Sequence, residues 1–281
     1  MRTTLDTPND SYHQNDGHIS RSTIHMAYRW GPVAYRHMLN GIRLFKGSAA
    51  TNVGQQFDEM VETLIMRGIP LDEQLATPPS ECLTTNGQRR GKKYIEWLTE
   101  IRAAGKQPAS VDDAERFGLM SDALMRNSAA WEIVSRTTHS QRSVWWNHEG
   151  HDVKARFDGE TDDGIWDLKT TSADWDSLPR KAWDLGYVFQ AAHYTAAAKA
   201  AGIPCGEAWD MPFVFVQTVP PYRCKVVTFP PDACRFAADK ILETLEWMKQ
   251  CRESGDFWTP EDNEISEMQF PAYITGGFDH A

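Results

Sequence analysis

Asp167-Leu168-Lys169, with Asp158 nine residues upstream, is the set of residues in this chain best suited to chemistry. The surrounding segment, KARFDGETDDGIWDLKTT, runs from Lys154 to Thr171 and reads as a hairpin. His151 to Asp158 alternates polar and apolar residues, Glu160-Thr161-Asp162-Asp163-Gly164 is turn chemistry, and Ile165 to Thr170 is a second strand. Strand side chains alternate, so Asp167 and Lys169 share a face while Leu168 enters the opposite layer. A hairpin then brings Asp158 beside Asp167. Carboxylate oxygens so arranged suit Mg²⁺ or Mn²⁺, hard ions that keep several waters. A lysine beside such an ion can orient or deprotonate a water, and the set serves metal-assisted phosphodiester hydrolysis. Standing alone, Asp-x-Lys has little specificity, and a solvated acidic hairpin explains it better.

A second pattern changes that balance. Gln190-Ala-Ala-His-Tyr194 lies in a stretch from Lys181 to Lys199 that reads as one helix. Gln190 and Tyr194 are one turn apart on one face. Alanines at 191, 192, 196, 197 and 198 let that helix lie close to a sheet. An amphipathic helix whose tyrosine caps the core is the plain alternative.

Together these residues resemble the PD-(D/E)XK nuclease superfamily. More narrowly, they look like its branch containing RecE (exonuclease VIII), lambda exonuclease and the RecB nuclease domain. That branch has Asp, then Asp/Glu-x-Lys on adjacent strands, then Gln-x-x-x-Tyr on the next helix, matched here by Asp158, Asp167, Lys169, Gln190 and Tyr194. Ile19-Ser-Arg-Ser-Thr-Ile24 and Gly31-Pro-Val-Ala-Tyr35 resemble the RecE-like opening helix and its Pro-containing turn. In Thr51-Asn-Val-Gly54-Gln-Gln-Phe-Asp58, Asp58 stands where the family has a metal-binding His. Asp is also a hard-metal ligand. Glu62, one turn on, is the competing choice, and an exposed helix carboxylate is the other account of Asp58.

The resemblance implies a restriction-endonuclease-like α/β core, with a mixed central sheet flanked by helices and an N-terminal helical layer. It implies a Mg²⁺-dependent exodeoxyribonuclease that degrades one strand of linear duplex DNA from an end, in phage-type recombination or repair. Asp158, Asp167 and Asp58 or Glu62 would hold one or two ions, Lys169 would activate water, and Gln190 and Tyr194 would contact phosphate or support the site. A single-strand annealing protein as partner and a homo-oligomeric ring around DNA belong to the same likeness. An endonuclease or repair nuclease on the same core, and a non-catalytic DNA-binding protein keeping the fold, are the other readings.

Composition fits a soluble domain. The chain has 281 residues, 41% hydrophobic and 24% charged, enough for a sizeable core. No apolar run is long enough to span a membrane, and MRTTLDTPNDSYHQNDG has no signal-peptide core. Residues 1–18 read as a disordered arm and 19–281 as a single domain: a helical part over 19–135, a catalytic core over 136–252, and a tail over 253–281. Five scattered cysteines without a C-x-x-C predict reduced thiols, a cytoplasmic protein and no iron–sulfur cluster.

A net charge of −10 sits awkwardly with phosphate binding, so local cations matter. Arg156, Arg180 and Lys181 flank the candidate core, and Gln88-Arg-Arg-Gly-Lys-Lys93 is a basic cluster. Among eleven tryptophans, Trp175, between Asp174 and Asp176, is the candidate for stacking on a base. His139, His148, His151 and His193 lack helical metal-ligand spacing.

The remaining elements follow from pattern. Helices are expected over 19–38, 54–66, 92–104, from a Ser110 cap to about 126, over 127–134 and over 231–252. Strands are expected over 140–146, 212–219 and 223–229, the last two forming a hairpin around Pro220-Pro221.

Overall fold

Polar caps set where several helices begin. Ser20, Ser110 and Asn127 each accept a backbone N–H three residues on, from Thr23, Asp113 and Ala130. The computed structural model describes residues 1–4, 9–12, 16–42, 44 and 49–258. In chain order come β1 (Arg2–Thr4), α1 (Asn9–Tyr12), β2 (Ile19–Ser20), α2 (Arg21–Leu39) and α3 (Ala49–Arg67). Next are β3 (Leu75–Ala76), α4 (Lys92–Ala103), β4 (Gln107–Pro108), α5 (Val111–Arg126) and α6 (Ser128–Ser135). The core holds β5 (His139–His148), β6 (His151–Thr161), β7 (Gly164–Thr171), α7 (Leu178–Asp184), α8 (Tyr187–Ala201), β8 (Phe213–Gln217), β9 (Cys224–Val227) and α9 (Pro231–Ser254).

The main sheet runs β1-β5-β6-β7-β8-β9, with β2 against β6. It is mixed: β7 and β8 are parallel, β5–β6, β6–β7 and β8–β9 antiparallel. One face carries α2, α8 and α9, packed through Ile24, Phe157, Phe189, Phe213, Phe215 and Leu245. The other carries α3, α5 and α6, with Phe57, Phe117 and Leu124 against Trp166, Leu168 and Val214. The expected α/β core with a mixed sheet between helices is present. The N-terminal helices divide between both faces instead of forming one layer.

Three local expectations change. The helix expected over 181–199 is two helices. Gly186 takes a left-handed φ of 69°, and a Cβ there would lie 2.5 Å from the His25 ring, so the chain turns and α8 starts afresh at Tyr187. α2 kinks at Gly31, where Pro32 removes an N–H and crowds the preceding residue. The expected arm is pinned where it is described. Arg2–Thr4 pairs with β5, Tyr12 is buried, and Asp16 accepts from Lys154 Nζ and Trp145 Nε1, both at 2.9 Å. Polar composition missed this because edge pairing and a buried lysine's need for a partner are tertiary effects. The expected tail beyond residue 258 lies outside the described residues. No described helix is long and apolar enough to cross a membrane.

Candidate active site

β7 changes partner half-way along its length. Its antiparallel pairing with β6 ends at Gly159↔Trp166, and its parallel pairing with β8 begins at Asp167↔Phe213. The strands part at this junction. There Asp158 Oδ2 accepts the Leu168 N–H at 2.8 Å. Leu168 and Trp166 are buried in the α3 face, each stabilising by about 2 kcal/mol, and so fix the strand that displays Asp167 and Lys169 on the opposite face.

α3 delivers the third carboxylate. A Cβ on Gly54 would lie 2.5 Å from Thr170 Oγ1, so glycine lets the helix press onto β7. One turn later Asp58 enters the field of Asp158 and Asp167. Burial first, then Asp167 and Glu62, push the Asp58 carboxyl up to about 7, against the pull of Lys169. Asp158 is raised well above the usual range by burial, Asp167 and Asp58. Glu62 bears on Asp58 and on Glu59. Asp58 is thus the α3 acid facing the pair from β6 and β7, with Glu62 behind it.

Lys169 and Asp167 are locked together. Asp167 is 1% exposed and Lys169 17%. Lys169 Nζ donates to Asp167 Oδ2, and Gln190 Nε2 donates to Asp167 Oδ1. Burial alone would lower the Lys169 pKa, but Asp167, Asp158 and Tyr187 raise it, so the amine stays charged. Gln190 is held in turn by Arg21, whose guanidinium donates to its Oε1 at 2.9 Å and to Leu185 O at 3.1 Å. Tyr187 lies under Lys169 Nζ, 5.3 Å from the ring centre. Tyr194 packs edge-on against Phe157 at 5.5 Å. Burial, Tyr12 and Asp167 raise its hydroxyl pKa, so it remains a donor. Arg21 and Tyr187 escaped the sequence reading. Tyr187 carries a signal, since it lies three residues before Gln190 on the same helix face. Arg21 carries none without the docking of α2.

Residues 86–265 match the PDDEXK-like domain of unknown function (DUF3799). The chain belongs to this PDDEXK-like family. Asp158, Asp167, Lys169, Gln190 and Tyr194 fall inside the match, and Asp58 and Arg21 precede it. No curated protein matches the chain in sequence. In structure it is similar to a Eubacterium rectale protein described as a candidate exonuclease, with TM-score 0.58 and 13% identity, over 99% of this chain and 100% of that one. That likeness is one of fold.

PDDEXK-like nucleases generally use divalent metals. Among the described residues, no group of three or more His, Cys, Asp or Glu side chains stands ready as a metal cage. Both Asp167 oxygens are engaged by Lys169 and Gln190. The donor chemistry nevertheless fits a hard ion, because three acids repel one another in a half-buried, all-oxygen cluster that a cation would relieve. His193 is buried, bonded to Lys154 O at 3.0 Å and held neutral by a pKa pushed down to about 3 through burial.

The candidate DNA contacts separate. Arg156 is half-buried, sits 5.7 Å from the Tyr12 ring centre and is felt by Asp58. Arg180 is exposed and reaches Asp184 on its own helix at 3.9 Å. Lys181, next to it on α7, is half-buried. Trp175 is partly buried against the core instead of projecting from its loop.

Proposed function

We propose that the protein is a Mg²⁺-dependent exodeoxyribonuclease that degrades one strand of linear duplex DNA from an end. The observation that carries this reading is the cluster of Asp58, Asp158 and Asp167 around charged Lys169, where β6 and β7 part. These three acids, with Glu62 behind Asp58, would hold one or two Mg²⁺ or Mn²⁺ ions. When bound, such an ion supplies Lewis-acid polarisation of the phosphate and a water of lowered pKa.

The chain's own groups do the rest. Lys169 orients the attacking water and neutralises charge growing on the phosphate oxygens. Gln190 fixes the Asp167 carboxylate, and Arg21 fixes Gln190. Tyr194, held protonated, donates to a phosphate oxygen. Action from an end, a ring around DNA and a single-strand annealing partner rest on the RecE-like pattern of the motifs. A ring also answers the net charge of −10, because encirclement retains DNA when phosphate contacts are few.

The test is digestion of linear and covalently closed circular duplex DNA in Mg²⁺ and in EDTA, with light scattering for assembly. Loss of linear DNA alone, only in Mg²⁺, is the expected result. Cutting of circles identifies an endonuclease, and binding without cutting identifies a non-catalytic protein.

A further inference from the structure

Two exposed cations, Lys225 on β9 and Arg223 just before it, lie on the face of the sheet that displays Lys169. Lys169 is in register with Phe215 on β8, and Phe215 with Lys225 on β9. In-register residues share a face. Lys225 therefore lies two strands from Lys169, about 10 Å across the sheet. Arg223, just before β9, is two residues earlier and turns the same way. Both are exposed, and neither joins an ion pair among the described residues. Both instead lie over Trp175, with Arg223 Cζ 5.6 Å and Lys225 Nζ 6.0 Å from the ring centre.

Trp175 is fitted to hold them. It follows β7, its ring packs partly buried against the core, and its buried Nε1–H has no acceptor among the described residues. A fixed ring beneath two long side chains restrains them. Tyr187 packs beside Lys169 and the intervening Phe215, 5.8 Å from the Phe215 ring centre and 5.3 Å from Lys169 Nζ. The row Lys169–Phe215–Lys225 crosses one face of the sheet, with Arg223 two residues along from it, opposite Gln217. Asp174 and Asp176 flank Trp175, but Asp174 is engaged with the Ser177 N–H at 2.7 Å.

We infer that Arg223 and Lys225, pre-set on Trp175, form a phosphate clamp. It would hold the phosphodiester backbone of the cleaved strand beside the scissile phosphate. This rests on the nuclease reading and adds a subsite to it. The ring serves to aim the cations, and the cations carry the contact. Phosphate contacts of this kind set register without reading sequence.

The experiment measures binding of fluorescent single-stranded and duplex oligonucleotides to the full chain in EDTA, across a salt series. The variants are Arg223→Ala/Lys225→Ala, Trp175→Phe and Trp175→Leu, each checked by thermal melting. The double variant should bind more weakly at every salt. The slope of log K against log salt should fall by about 1.4 on a single strand, or about 1.8 on duplex, as two contacts are lost. Trp175→Phe, which keeps a π face, should bind like the parent, and Trp175→Leu should shift toward the double variant. A parent chain that binds and cuts DNA, with a double variant of unchanged affinity and slope, overturns the clamp and leaves the nuclease reading intact. A parent that neither binds nor cuts DNA overturns both.

Discussion

Asp58→Asn should make the metal-free protein more stable while raising the Mg²⁺ it needs for cleavage. The folded-state pKa of Asp58 is about 7 against an ordinary 3.8, a rise of about three units caused by burial, Asp167 and Glu62. Each unit corresponds to 1.36 kcal/mol, so about 4 kcal/mol is the ceiling. Asp158 and Asp167 share the repulsion, and Lys169 offsets part of it, which brings the expected gain to about 2 kcal/mol. For a domain of this size that is about 4–8 °C in Tm. The sign follows from proton linkage. An acid whose folded pKa is raised binds more protons when folded, so stability is lost as pH climbs from 3.8 through 7, and the loss is complete above 7. Asparagine escapes it. Melting in EDTA at pH 8 should therefore show the full gap, and at pH 5 less than about half of it. Mg²⁺ should raise the parent's Tm more than the variant's, and cleavage by the variant should need more Mg²⁺. A variant that melts at or below the parent at pH 8, or a gap equal at both pH values, refutes the buried acid cluster.

Asp167→Ala and Lys169→Ala should each abolish Mg²⁺-dependent digestion. Lys169→Ala should also lower Tm at pH 8, since it leaves three acids without their cation, and near-parental digestion by either variant removes both from the catalytic set. Gly54→Ala should lift α3 off β7 and weaken cleavage, and adding Thr170→Ala should restore it by removing the hydroxyl 2.5 Å from the new Cβ; equal activity in the single and double variants counts against the contact. Arg21→Ala should reduce cleavage by loosening Gln190, with Arg21→Lys recovering part of it, and an unaffected rate in Arg21→Ala would show that Gln190 needs no support. Ca²⁺ should sustain binding of linear DNA with little turnover, because it acidifies water less than Mg²⁺, and equal digestion in both ions contradicts the metal role.

The β6–β7 hairpin was legible because its determinants are local. Alternation placed Leu168 opposite Asp167 and Lys169, Asp-Gly marked the turn, and Ser110 announced α5. What could not be read depends on contacts between distant segments. Gly186 breaks the 181–199 helix because His25 of another helix occupies the space beside it. The strand at Arg2–Thr4 exists because β5 offers an edge. Which of Asp58 and Glu62 faces Asp158 and Asp167 depends on how α3 crosses β7, which Gly54 governs and periodicity does not. Trp175 was legible as unusual, but its cation partners come from a strand about fifty residues later.

The Arg21–Gln190 hydrogen bond closes a span of 169 residues, whereas Asp158 and Leu168 are ten apart and Gln190 and Asp167 twenty-three. Short closures form early in folding and long ones late. A chain folded only through its strands and α8 therefore has two of the three acids, a lysine and a glutamine with nothing behind it. Asp58 and Arg21 arrive when α2 and α3 dock on opposite faces of the sheet. Completion of the constellation thus reports that the whole domain has folded, and an isolated 86–265 fragment lacks both residues. A chain caught with its strands and α8 formed but α2 and α3 undocked would carry the family's motif without the two residues those helices bring to it.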